Sequence, residues 1–130
     1  MSKQRITALD PDITTGKAKE LFNAVHGKLG MVPNMMRTMG TSPALLNGYL
    51  SLSGALAEGS IRPGLGEQIA LAVANANACN YCNAAHTFIG EKLAGLKMPA
   101  IELAREGRST DSREQAAITF ARVLLEKRGQ

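Results

Sequence analysis

Apolar positions along this chain recur at the three- and four-residue spacing of helices, and no segment alternates with the period of two that marks a half-buried strand. Ala18, Leu21, Phe22 and Val25 make one such face and predict a helix over about 16–28, which Thr14 or Thr15 can cap and Gly27 and Gly30 bracket at its end. Ser42-Pro43 is an N-cap followed by a first-turn proline. It opens a helix to about Ala57 through Leu45, Leu46, Tyr49, Leu50, Leu52 and Leu56. Gly59 and Arg62-Pro-Gly-Leu-Gly66 then break the chain, and Leu65, Ile69, Ala72, Val73 and Ala76 restart the helical period.

Asn75 and Asn77 suit a boundary better than a helix interior, so a turn is predicted near 76–78, with Asn77 as cap of a helix that runs to about Ala94 and ends on Gly95. A short helix is predicted over 99–106. Asp111 and Glu114 have the spacing of a capping box before a last helix whose inner face is Ala117, Phe120, Ala121 and Leu124 and which ends at Lys127-Arg128-Gly129. Residues 1–13 are expected to form an arm with a turn at Asp10-Pro11-Asp12. The segment from Met31 to Met39 carries Met31, Met35, Met36 and Met39, which fill core gaps or line a pocket or subunit contact. The pattern as a whole reads as all-α.

Composition narrows the picture. The 130 residues hold no linker-like stretch, which predicts a single domain spanning 1–130. Hydrophobic residues make up 45% and aromatics only 4%, so small side chains must pack the helices closely. The net charge is +4, but Lys and Arg are scattered and not interleaved with aromatics, so no nucleic-acid footprint is present. No leader, membrane span or lipidation motif is evident, and a cytoplasmic protein without membrane partners is expected. In that compartment a close cysteine pair is catalytic, redox-sensing or metal-binding more often than structural.

Both cysteines and one of the two histidines lie in Asn77-Ala-Cys-Asn-Tyr-Cys-Asn-Ala-Ala-His86. On a helix Cys79 and Cys82 are neighbours, and His86 stands one turn beyond Cys82. A small adjustment of the first turn lets such a pair close as a reversible dithiol. A thiol of ordinary pKa is mostly protonated at pH 7, and a helix N-terminus or a nearby His raises the reactive thiolate fraction. Were 65–94 one helix, Glu67 would stand about 18 Å from Cys79. A turn near 76–78 instead makes an antiparallel helix pair and brings Glu67 to the height of His86. Glu67, His86 and Cys82 then compose an orienter, a base and a nucleophile. Taken alone, Glu67 also fits a first-turn acid that complements the helix dipole, and His26 fits a dipole-stabilised surface histidine at a helix end.

Glu67, Cys79-x-x-Cys82 and His86 resemble the E-x11-C-x2-C-x3-H signature of the AhpD-like alkylhydroperoxidases in the carboxymuconolactone decarboxylase superfamily. Leu29-Gly-Met-Val-Pro-Asn34 and Ser42-Pro-Ala-Leu-Leu46 look like its peroxidase-related branch. The resemblance implies an AhpD-like helical fold assembled as trimers or hexamers, and a peroxide-reducing or disulfide-exchanging activity without a bound cofactor. It implies that Cys82 is oxidised to sulfenic acid, that Cys79 resolves it, and that His86 and Glu67 relay the proton. A dihydrolipoyl protein would be the reductant. The best-known members carry a second His before the latter Cys, where this chain has Tyr81. They continue with further helices beyond a segment like 111–128, so the resemblance reads this chain as shortened at its C-terminus. Three other readings remain open. Cys79, Cys82, His86 and, as a fourth candidate, Glu67 suit a zinc site in ligand type, though no second C-x-x-C or H-x-H element is evident. A redox-sensing or assembly subunit without turnover is the second, and the namesake decarboxylation, which does not use a C-x-x-C pair, is the third.

Overall fold

A computed structural model describes residues 5–130, so the first four positions of the expected arm lie outside the described residues. Among the described residues there are seven helices and no strand, which is the all-α class the periodicity predicts. The chain divides into two compact units, Met1–Glu58 and Gly59–Gln130.

The first unit holds α1 (Gly16–Leu29), α2 (Asn34–Met39) and α3 (Pro43–Ala57). Thr15 is the N-cap of α1, although its side chain makes no capping bond, and Gly30 closes the helix in the left-handed region (φ 73°) with its N–H on the His26 carbonyl. The anticipated face of α1 is buried in full, and His26 lies exposed at the helix end. Ser42 caps α3 by accepting the Leu45 N–H, and Pro43 begins the helix without costing a bond. Leu21, Phe22 and Leu46 form the centre of this unit, with Leu9, Val32, Met36, Met39 and Leu50 packed around them. Gly40 admits Phe22 closely; a Cβ there would stand 2.5 Å from the end of the Phe22 ring.

Two expectations change here. The methionine segment forms α2, a helix too short for periodicity to announce, and it puts Met36 and Met39 into the core while Met31 and Met35 stay exposed. The arm is also more than an arm. Leu9 N–H donates to the Arg37 carbonyl (3.1 Å), and Arg37 Nε returns a bond to the Leu9 carbonyl (2.7 Å).

The second unit holds α4 (Pro63–Ala76), α5 (Asn80–Lys92), α6 (Met98–Arg105) and α7 (Ser112–Glu126). α4 packs against each of the other three. Its sequence explains why: one charged side chain in fourteen residues leaves nearly every face free to be covered. Gln68, Leu71, Ala72 and Ala74 are buried, whereas Ala76, expected on the inner face, is exposed. Leu71, Ile101 and Ala104 form the unit's core, with Leu96 against them.

The last helix departs further from its pattern. Ile118 is fully buried, while Phe120 is 69% exposed and Leu124 is exposed as well, so the inner face is rotated from the anticipated one. Asp111 caps α7 by accepting from the Arg113 and Glu114 N–H groups. The return half of the capping box is absent, because Glu114 accepts the Ser109 hydroxyl and the Asp111 N–H goes to Ser109 Oγ.

Candidate active site

The turn between α4 and α5 builds the site. Asn77, expected to open the second helix, instead ends the first, with its N–H on the Val73 carbonyl. Ala78 takes the left-handed conformation (φ 50°), unusual for a residue with a Cβ, and the Cys79 N–H then reaches the Ala74 carbonyl at 2.9 Å. Cys79 is therefore the N-cap of α5, its sulfur accepting the Cys82 N–H at 3.2 Å. Sequence propensity favours Asn as a cap, but the two extra residues needed to reverse the chain move the cap to the cysteine. α5 itself stops at Lys92, and Gly95 (φ 71°) follows the helix end by two residues more than expected.

Cys79 and Cys82 are joined by a disulfide with Cα atoms 5.3 Å apart. One turn beyond Cys82, His86 Nδ1 lies 2.8 Å from Glu67 Oε2 on α4. A carboxylate oxygen only accepts, so Nδ1 carries the proton and Nε2 of the neutral ring holds the lone pair. The pair is sheltered but not sealed, with 34% of the His86 side chain and 18% of the Glu67 side chain exposed. Glu67 is the fifth residue of α4, and no acidic residue sits in that helix's first turn, so the dipole reading of Glu67 does not hold. Gly90, one turn past His86, lets α5 approach; a Cβ at Gly90 would lie 3.7 Å from that of Glu67 and 3.3 Å from Leu96 Cδ1.

No protein-family model matches the chain, and no curated protein does either. The chemistry therefore has to be read from the groups themselves. Two sulfurs form one disulfide, and a carboxylate-oriented imidazole stands on the same helix, four residues along from Cys82. Such a set can exchange disulfides and move a proton beside the exchanging sulfur. Among the described residues no three His, Cys, Asp or Glu side chains are grouped to hold a metal ion.

The adjoining face of α5 carries a polar chain that the motif did not announce. Asn83 Nδ2 donates to the Cys79 carbonyl (3.2 Å), the Thr87 hydroxyl donates to the Asn83 carbonyl (2.6 Å), and Arg105 Nη2 on α6 donates to Thr87 Oγ1 (2.6 Å). The 79/83/87 spacing is visible in sequence as one polar edge of a helix. Arg105, eighteen or more residues away on another helix, carries no such signal.

Proposed function

We propose that the chain is a dithiol–disulfide oxidoreductase that reduces peroxides, an AhpD-like member of the carboxymuconolactone decarboxylase superfamily. The observation that carries this is the Glu67–His86 contact, placed on the helix that begins with the Cys79–Cys82 pair. A structural staple needs no such base, and a three-residue separation closes too short a loop to stabilise the fold much.

In the proposed cycle the Cys82 thiolate attacks one peroxide oxygen. The O–O bond breaks, an S–O bond forms, and the departing oxygen takes a proton from the His86 imidazolium as water or an alcohol. Cys82 is then a sulfenic acid; the Cys79 thiol attacks its sulfur, the S–O bond breaks as the S–S bond forms, and the thiol proton leaves with the displaced hydroxide as water. A dithiol reductant such as a dihydrolipoyl protein returns two electrons and two protons. Glu67 holds the imidazole by its Nδ1–H and steadies its charged form. Cys82 is assigned the attack because it shares the His86 face, whereas Cys79 has only the helix N-terminus in its favour. Within this reading, packing of α4 with α5 as an antiparallel pair is what brings Glu67 to His86, and the protein works as a homo-oligomer.

Reduced protein mixed with hydrogen peroxide or cumene hydroperoxide, with dihydrolipoamide as reductant, tests the reading. Peroxide consumption that is lost in Cys82→Ser supports it. Disulfide cycling without turnover would point to a redox-sensing subunit, and inert thiols would reject both.

A further inference from the structure

Resting on that dithiol reading, we infer that Arg105 is a positioning residue whose fixed positive charge raises the thiolate fraction of the reduced Cys79–Cys82 pair. Its Nη2 is bonded to Thr87 Oγ1 at 2.6 Å. That hydroxyl in turn donates to the Asn83 carbonyl, and Asn83 holds the Cys79 carbonyl through both its backbone N–H (3.0 Å) and Nδ2 (3.2 Å). The guanidinium is thereby tied, through Thr87 and Asn83 of α5, to the turn that bears Cys79. Thr87 lies five residues past Cys82, about 7.5 Å along the axis, which puts the charge on the order of 10 Å from the sulfurs.

Arg105 makes no ion pair among the described residues, and its Nε is buried with no hydrogen-bond partner there. Asn83 Oδ1, in the same chain of contacts, is also buried and unpartnered. Arg105 is only partly buried, but a buried Nε with no partner is costly for a fold that needs only packing, and Leu or Met would fill the space without that cost. A guanidinium keeps its charge in proteins, and that charge favours an anion nearby. The reduced dithiol is the group in reach that can become one.

Apart from His86, the other charged groups on α5 and on the elements packed against it do not supply this field. α4 contributes Glu67, already bonded to His86, and Arg62 at its far N-cap. α6 contributes exposed Glu102, with Lys97 and Glu106 at its two ends, the latter paired with Arg108. On α5 itself His86 faces Glu67, and Glu91 and Lys92 stand together at the helix end.

Protein reduced with dithiothreitol and freed of it is titrated by thiolate absorbance at 240 nm. Arg105→Met is expected to cut the thiolate fraction at pH 7 roughly threefold, a midpoint about half a unit higher, and Arg105→Lys to stay close to wild type. Helical circular dichroism checks the fold; should Arg105→Met unfold, Arg105→Gln, which keeps a donor for Thr87, takes its place. An unmoved midpoint in the neutral variant, or an equal rise in Arg105→Lys, would overturn the inference. Wild-type protein that fails to re-form its disulfide with peroxide would instead sink the dithiol reading, while the midpoints would still report on Arg105.

Discussion

At the scale of single residues, the contact between His86 and Glu67 is where the proposed cycle joins proton transfer to sulfur chemistry. Glu67→Gln keeps the shape but offers Nδ1 an amide in place of a carboxylate, and His86→Ala removes the base. Each is expected to slow peroxide oxidation of the reduced thiols by about 10²–10⁴-fold while leaving the helical signal unchanged. Stopped-flow loss of thiols checks this, and a Glu67→Gln rate equal to wild type would mean the carboxylate only packs. Alkylation at limiting reagent with mass mapping is expected to label Cys82 before Cys79. The N-cap role of Cys79 pulls the other way, since its sulfur already accepts a helix N–H, so preferential labelling of Cys79 would reverse the two roles. Glu67 was legible in the sequence because a break near 76–78 inverts the arithmetic of helix rise and sets it level with His86. Arg105 was not legible, because a contact between two helices leaves no spacing to read.

At the scale of elements, the turn at Asn77–Cys79 decides the geometry. Ala78 is held at φ 50°, where a Cβ is crowded by the backbone. Ala→Gly in a helix or strand usually destabilises, but Ala78→Gly is expected to stabilise by up to about 1 kcal/mol by relieving that crowding, as urea denaturation would show. Gly90 is the opposite case: Gly90→Val puts carbon between α5 and both Glu67 and Leu96, and a loss of about 1–3 kcal/mol is expected from overpacking. Helix positions were legible wherever a cap and a periodic face coincided, as with Ser42-Pro43 and Leu46. They failed where a local rule met a tertiary demand. Asn77 has the better capping side chain, yet the reversal needs two more residues, and α7 turns Ile118 rather than Phe120 inward where α4 is the helix packed most extensively against it.

At the scale of the whole molecule, each of the two units has its own core, and each leaves apolar surface uncovered. α3 exposes Leu45, Leu52 and Leu56 on one stripe, and α7 exposes Phe120 and Leu124. Exposed apolar patches of this kind mark contacts with other surfaces, and a second copy of the chain is the partner we propose for them. Light scattering at micromolar concentration is expected to give a trimer or a multiple of it, and a folded monomer would contradict this. No helix among the described residues is long and apolar enough to cross a membrane.

The central claim is that Cys79 and Cys82 form a disulfide that opens and closes as part of turnover. Counting free thiols by mass spectrometry after alkylation tests it most directly, in protein reduced with dihydrolipoamide, then given one equivalent of hydrogen peroxide, then reduced again. The account predicts two thiols, none, and two again, with the oxidised form lighter by two hydrogens. Two thiols persisting after peroxide, or cysteines driven to sulfinic and sulfonic acids without passing through the disulfide, would contradict it.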